Sequence, residues 1–210
     1  MNLNDMRNIV RRDLHDENSA EYRWTDDEIN RHILHAVKEF SEALPLEQKT
    51  TLATTDGSYE INISSLANRV TVEAIEYPVG QFPVSYRRFA LWGDTVTLTG
   101  NEIPDGSDCS VYYGKLHTLD TGTSTIPAKY EDVVVAGAVG YAALEWAVFA
   151  TNRVNIGGNG TANEFMEWGR SRLDYFKSEL KRLSRRNRVR VRSLYQRGQQ
   201  SESRTTDYGP

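Results

Sequence analysis

Apolar residues open the chain at helical spacing, with Leu3, Met6, Ile9, Val10 and Leu14 on one face of a short helix. A polar break runs from Asp16 to Arg23. Thr25-Asp26-Asp27-Glu28 then has the form of a capping box, in which Thr25 accepts from the backbone of Glu28 and Glu28 reaches back. Its acidic residues suit the positive end of the helix dipole. Ile29, Ile33, Ala36, Val37, Phe40 and Leu44 keep the helical period up to Pro45, so the pattern predicts a helix over 25–44.

Near Thr50 the period changes. β-branched residues crowd positions 50–54, Asp56-Gly57 is a hairpin turn signal, and Tyr59, Ile61 and Ile63 alternate after it. Val70–Tyr77, Tyr86–Trp92, Thr95–Thr99 and Ser110–Tyr113 read as further strands, punctuated by Gly and Pro. These signals predict a small antiparallel β module over 50–118, inserted between helical segments.

The helical period returns after Ile126-Pro127, a suitable helix start. Residues 129–151 are rich in small side chains, among them Ala136, Gly137, Gly140 and Ala143. Glycine costs a helix interior about 1 kcal/mol relative to alanine. Two glycines in an apolar helix therefore predict close approach by a neighbouring helix. A Gly/Asn-rich loop follows over Arg153–Gly160, and Thr161 with Glu164 forms a second capping box. Phe165, Trp168, Phe176, Leu180 and Leu183 carry an amphipathic helix to about Ser184. Beyond it, Arg188-Val189-Arg190-Val191-Arg192 alternates with the period of a strand, after Arg185 and Arg186. Gly198–Pro210 is polar without an apolar period and is expected to be disordered. The predicted class is α+β. About four helices from 1–49 and 119–184 form a bundle, 50–118 forms the β module, and 185–210 is an extended basic arm.

Composition narrows the function classes. With one cysteine, Cys109, the chain has no intrachain disulfide framework, and a thiolate metal cage is disfavoured. The start carries no basic patch followed by an apolar run. The longest uncharged stretch, Val133–Leu144, is shorter than the ~20 residues that span a bilayer. The expectation is a protein assembled in a cytosol, without a membrane. The net charge of −4 hides an asymmetry: residues 168–210 hold 12 Lys and Arg against 4 Asp and Glu, and the rest of the chain is net −12. An acidic body with a basic end can bind an acidic partner through that end.

Candidate chemistry is sparse. Glu28, His32 and His35 share a helix at ligand-like spacing, but no second ligand pair accompanies them, and a solvated helix face is the favoured reading. Gly157-Gly158-Asn159-Gly160 precedes a helix yet lacks the lysine and hydroxyl residue of a phosphate loop. Glu145, Glu164 and Glu167 flank that loop, and pairing with Arg153 or Arg170 accounts for them. The Trp and Tyr residues fall at core-like positions, which favours core or subunit packing over base stacking. No nucleophile elbow is present. No catalytic residue, metal ligand or cofactor site is assigned, and the protein is not expected to be an enzyme.

Arg23-Trp24-Thr25-Asp26-Asp27-Glu28-Ile29-Asn30 opens a helix that ends in Ala43-Leu44-Pro45, and Ile126-Pro127-Ala128-Lys129-Tyr130-Glu131-Asp132 opens the small-residue helix. With the long amphipathic helix and basic C-terminal segment, this order resembles the head–tail connector, or adaptor, proteins of tailed bacteriophages. The β module departs from the simplest all-helical members. The resemblance implies a virion structural protein of the neck. It would form a homo-oligomeric ring of about twelve copies under the portal, around the channel through which double-stranded DNA passes. It implies no cofactor, and as partners the portal protein and the next neck or tail protein. An acidic lumen would repel the phosphate backbone and let DNA slide. Arg185, Arg186, Arg188, Val189, Arg190, Val191 and Arg192 are the expected portal-binding residues, added as a strand to a sheet edge of the partner. Two alternatives remain: a DNA-binding protein using the basic segment, and a different neck or tail-completion ring protein.

Overall fold

A computed structural model describes the backbone of residues 1–100, 102–151 and 161–196, and the side chains of these except 151, 161, 162 and 188–196. Among the described residues the chain is α+β, with four α-helices and a six-stranded antiparallel sheet. The elements are α1 (Leu3–Asp13), α2 (Asp26–Ala43), β1 (Leu46–Ala53), β2 (Glu60–Asn62), β3 (Arg69–Glu76), β4 (Tyr86–Trp92), β5 (Thr95–Thr99), β6 (Asp108–Lys115), a 3-10 turn (Ala128–Tyr130), α3 (Glu131–Thr151) and α4 (Thr161–Gln196). They fall into two compact units: Met1–Leu46 with Lys115–Ser184, and a second built on Glu47–Gly114.

The first unit is helical. Met6, Val10 and Leu14 of the α1 segment are buried with Ile29, Ile33, Ala36, Val37 and Phe40 of α2, as the 3.6-residue period requires. Asn2 caps α1 and forms a capping box with Asp5, an N-terminal signal not singled out in the sequence. At α2, the Glu28 amide donates to Thr25 Oγ1 (3.3 Å), and the Thr25 amide donates to Glu28 Oε2 (2.7 Å). The segment Ala128–Ala150, which includes most of helix α3, would pass for a membrane span by length and composition, its most apolar window having a mean hydropathy of 1.8. Its Val133–Gly140 run is buried throughout, and its residues share one core with α1, α2 and α4.

The α3–α4 contact depends on missing side-chain volume. A Cβ built on Gly137 would lie 2.9 Å from the Phe176 ring, and one on Gly140 would lie 2.7 Å from Leu173 Cγ and 3.0 Å from the Gly169 carbonyl oxygen. Gly169 reciprocates: its Cβ would stand 3.0 Å from the Ala143 Cβ. Ala136 and Ala143 are buried in the same helix. Since Phe176 is fully buried, its ring has no free volume to move into.

In the second unit the strand order is β1-β6-β3-β4-β5-β2. Alternation sets the faces: Ile61, Ile75, Val96, Leu98, Cys109, Val111 and Tyr113 turn into one core. On β4, Phe89 packs against that core, whereas Arg88, Ala90 and Trp92 are exposed opposite Thr99, Thr97 and Thr95 of β5. Trp92 is 89% exposed, so it corrects the expectation that the tryptophans occupy core-like positions.

Three further expectations change. Asp56-Gly57 does form a turn, with Gly57 at φ +74, but it does not close a hairpin. The strands it joins, β1 and β2, stand at opposite ends of the sheet order, and β2 pairs with β5 through Ile61 and Val96. β1 starts at Leu46 rather than near Thr50, because β6 lies beside it and pairing overrides the weak strand propensity of Glu47, Gln48 and Lys49. Most important, α4 continues without a break to Gln196, so Arg185, Arg186, Arg188, Val189, Arg190, Val191 and Arg192 lie on a helix and not on a strand. Extending a formed helix costs little once its nucleus exists, and arginine is a good helix former. Five alternating residues are too few to outweigh that. The predicted loop at Arg153–Gly160, the Thr161 side chain of the second capping box, and Gly198–Pro210 lie outside the described residues.

Candidate functional site

The Arg23–Asn30 motif is organised by two residues that precede it. Arg11, on α1, donates from Nη1 to Asp16 Oδ2 (2.6 Å), and from Nη2 to the Trp24 carbonyl oxygen (3.0 Å) and Asp26 Oδ1 (2.7 Å). Asp16 Oδ1 accepts the Arg23 amide at 2.7 Å. The Arg11 guanidinium also stacks 3.6 Å from the centre of the Tyr22 ring. Arg11 and Asp16 thus form a buried knot under an otherwise exposed break at 17–23, which fixes the entry to α2 and seats Trp24 in the core. The hydrogen bond from Arg11 holds the Asp26 carboxyl below the usual carboxylate range. Arg11 and Asp16 were not singled out in the sequence, because nothing in their spacing marks a pair that closes across a helix end.

The histidines of α2 diverge. His32 Nε2 lies 2.5 Å from Glu145 Oε2 on α3, and Arg31 donates to the other Glu145 oxygen. His35 lies edge-on to Tyr141, 4.6 Å between ring centres, and 3.7 Å from Glu39 Oε1. Glu145 therefore bridges α3 to α2, while Arg153 lies outside the described residues. Burial pushes the His32 imidazole below its ordinary range, outweighing the carboxylate beside it. Burial opposes the charge on Glu145, but hydrogen bonds from Arg31 and His32 prevail and keep it below the usual range. Among the described residues, no group of three or more His, Cys, Asp or Glu could hold a metal ion.

Beside this cluster an aromatic pit of about 380 Å³ opens, lined by Arg23, Trp24, Glu28, Glu145, Trp146, Val148 and Phe149. The Trp24 and Trp146 rings meet at 5.5 Å, and Trp146 and Phe149 at 5.1 Å. Val148 is 63% exposed and Phe149 is also exposed. Along α4, Arg170, Lys177, Lys181, Arg185 and Arg186 are exposed cations, while Arg182 is paired with Glu179 at 2.6 Å. Arg188, Arg190 and Arg192 continue the same helix.

A buried polar knot at a helix end, a helix pair in close contact, and exposed apolar and cationic surface characterise this α+β protein. Residues 1–194 match the SU10 adaptor protein family, and the chain belongs to it. It is a phage structural adaptor, placed by its family at the head–tail junction of the virion. No curated protein matches the chain.

Proposed function

We propose that copies of this chain form a ring that joins the portal vertex to the tail and lines the passage for double-stranded DNA, and that the basic end of α4 docks on the portal. The charge distribution carries this reading. Residues 185–192 hold five arginines on a continuous helix, while residues 1–167 are net −12. Arginine forks bind carboxylates with two parallel hydrogen bonds, so this helix suits an acidic groove on a partner. The acidic remainder repels phosphate, which favours passage of DNA over its capture.

The test is truncation after Ser184. Among the described residues, the last buried core residue of the helical unit is Leu183, so the truncated chain keeps that core. The full chain is expected to co-sediment with portal particles and the truncated chain to stay in the supernatant. Unchanged attachment overturns the docking assignment. Salt-dependent duplex binding that vanishes on truncation, with portal attachment intact, establishes the DNA-binding reading instead.

A further inference from the structure

Two aromatic rings of the second unit stand in solvent, Phe82 at 98% exposure in the β3–β4 connection and Trp92 at 89% where β4 ends. Trp92 is set apart by its neighbours. Register places it in one row with Thr95 of β5 and Asn62 of β2, and Ala90, Thr97 and Glu60 form the next row. These side chains share the sheet face opposite Ile61, Val96 and Leu98 of the core. On that face a cleft of about 450 Å³ opens, and every residue lining it is polar. Thr55, Ser58, Ser64 and Thr95 supply hydroxyls, and Asn62, Glu60 and Asp94 supply an amide and two carboxylates. Local hydrogen bonds orient several of these groups. Asn62 Oδ1 accepts the Ser64 amide (2.8 Å), which leaves the Asn62 NH2 as a donor, and Ser58 Oγ accepts the Glu60 amide (3.1 Å), which leaves its O–H as a donor. Groups already held in place lose little freedom when a ligand binds.

We propose that this cleft, with the Trp92 ring beside it, binds an uncharged oligosaccharide. A sugar ring has an apolar C–H face and a rim of hydroxyls that both donate and accept. The exposed indole offers a flat apolar surface to the first, and the hydroxyls, amide and carboxylates of the cleft offer partners to the second. Charge selects a neutral ligand. Asp94 Oδ1 is already met by Arg69 Nη2 (3.0 Å), and Arg69 also donates to the Gly93 and Ile63 carbonyls. The lining contains no lysine or arginine, and Arg88 stands two rows from Trp92, beyond Ala90. A phosphate or an acidic peptide would therefore face Glu60 without a cation to offset it. A basic peptide would meet one carboxylate already paired with Arg69 and a lining otherwise mostly neutral. An apolar ligand would bury hydroxyls and carboxylates without partners, which is costly. The row from Trp92 to Asn62 crosses two strand spacings, roughly 10 Å, which is longer than one sugar ring and suits a chain of them. The inference stands apart from the ring reading, since the whole site lies on the second unit.

The experiment is isothermal titration calorimetry of the full chain with cellohexaose, maltohexaose and chitohexaose, beside glucose, N-acetylglucosamine and hexalysine. At least one hexasaccharide is expected to bind with a Kd on the order of 1 mM or tighter, and more tightly than its monosaccharide. Trp92→Ala, at an exposed position, is expected to weaken that binding at least about tenfold, and Trp92→Tyr, which keeps a ring, to restore most of it. Glu60→Ala, also exposed, is expected to weaken binding with melting unchanged, and so gives a second, independent variant. Absence of heat with every hexasaccharide at about 10 mM, or undiminished binding in Trp92→Ala, overturns the proposal. Equal affinity for a hexamer and its monomer overturns the assignment to a chain of sugars. Binding of hexalysine in place of the saccharides, lost in Glu60→Ala, assigns the face to a cationic partner and overturns the proposal as well.

Discussion

Arg11 and Asp16 face each other at 2.6 Å with side chains 5% and 2% exposed, and between them they hold both the end of α1 and the start of α2. Removing Asp16 takes the buried partner from Arg11, which keeps only the half-exposed Asp26, and strips the Arg23 amide of its acceptor, at a cost of about 3 kcal/mol, the lower end for breaking a buried pair. Asp16→Ala is therefore expected to destabilise the fold by about that amount in urea denaturation. Asp26 also meets Arg11 but is 54% exposed, where an ion pair contributes about 0–1 kcal/mol. Equal losses from Asp16→Ala and Asp26→Ala would show that the knot is not the anchor.

Gly140 offers a test of the α3–α4 contact with opposing signs. Alanine raises helix propensity by about 1 kcal/mol over glycine. Here the added Cβ would meet Leu173 Cγ at 2.7 Å and a backbone oxygen of the facing helix at 3.0 Å. Packing is expected to win, so that Gly140→Ala lowers the melting temperature and Gly140→Leu costs about 1–3 kcal/mol or more. A rise in melting temperature for Gly140→Ala would mean that the helices separate without loss.

The local elements were legible where one signal dominated. Thr25 and Glu28 announced α2, the small residues of α3 announced a tight helix contact, and the strand alternation at Ile61 and Ile63 placed both in a core. What the pattern missed was decided by partners distant in sequence. β1 owes its first residues to β6 beside it, and β2 leaves its expected neighbour for β5. Glu145 pairs with Arg31 and His32, more than a hundred residues earlier. The Arg/Val alternation misled for the opposite reason: a local period of five residues competed with the long helix that begins at Thr161 and runs unbroken into it. Phe82 carries no signal in its own composition, since a lone Phe between turn residues reads equally as core or surface.

His32 gives the stability a pH dependence of known sign. It is buried on α2 against Glu145, with Arg31 and Glu28 also acting on it, and burial holds its pKa below the ordinary value. The unfolded chain therefore takes up this proton first. The contribution is fully present above the unfolded pKa of about 6.5 and is lost as pH falls through the lower folded value. Unfolding free energy is expected to drop between pH 7 and pH 5.5, and His32→Gln is expected to flatten that slope. A His32→Gln variant with the wild-type slope would assign the dependence to other groups.

The exposed arginines at the start of the basic segment allow docking and DNA capture to be separated without shortening the chain. Arg185 and Arg186 are exposed and lie beyond Leu183, the last buried core residue among the described residues, so Arg185→Glu with Arg186→Glu should leave melting unchanged. Reversing two charges places glutamates opposite whatever carboxylates the partner presents. Like charges face to face across an interface cost several kcal/mol, so attachment to the portal is expected to fall by at least about a hundredfold. For a docking element of this kind, the loss appears for the protein partner and is eased by salt, which screens the new repulsion. For a duplex-binding element, the loss appears instead as a smaller dependence of DNA affinity on salt concentration, because fewer phosphates are neutralised. Portal attachment measured by co-sedimentation at two ionic strengths, beside a duplex titration at the same two, distinguishes these outcomes. Wild-type attachment in the doubly reversed variant would move the docking surface off α4 altogether and onto the rest of the helical unit.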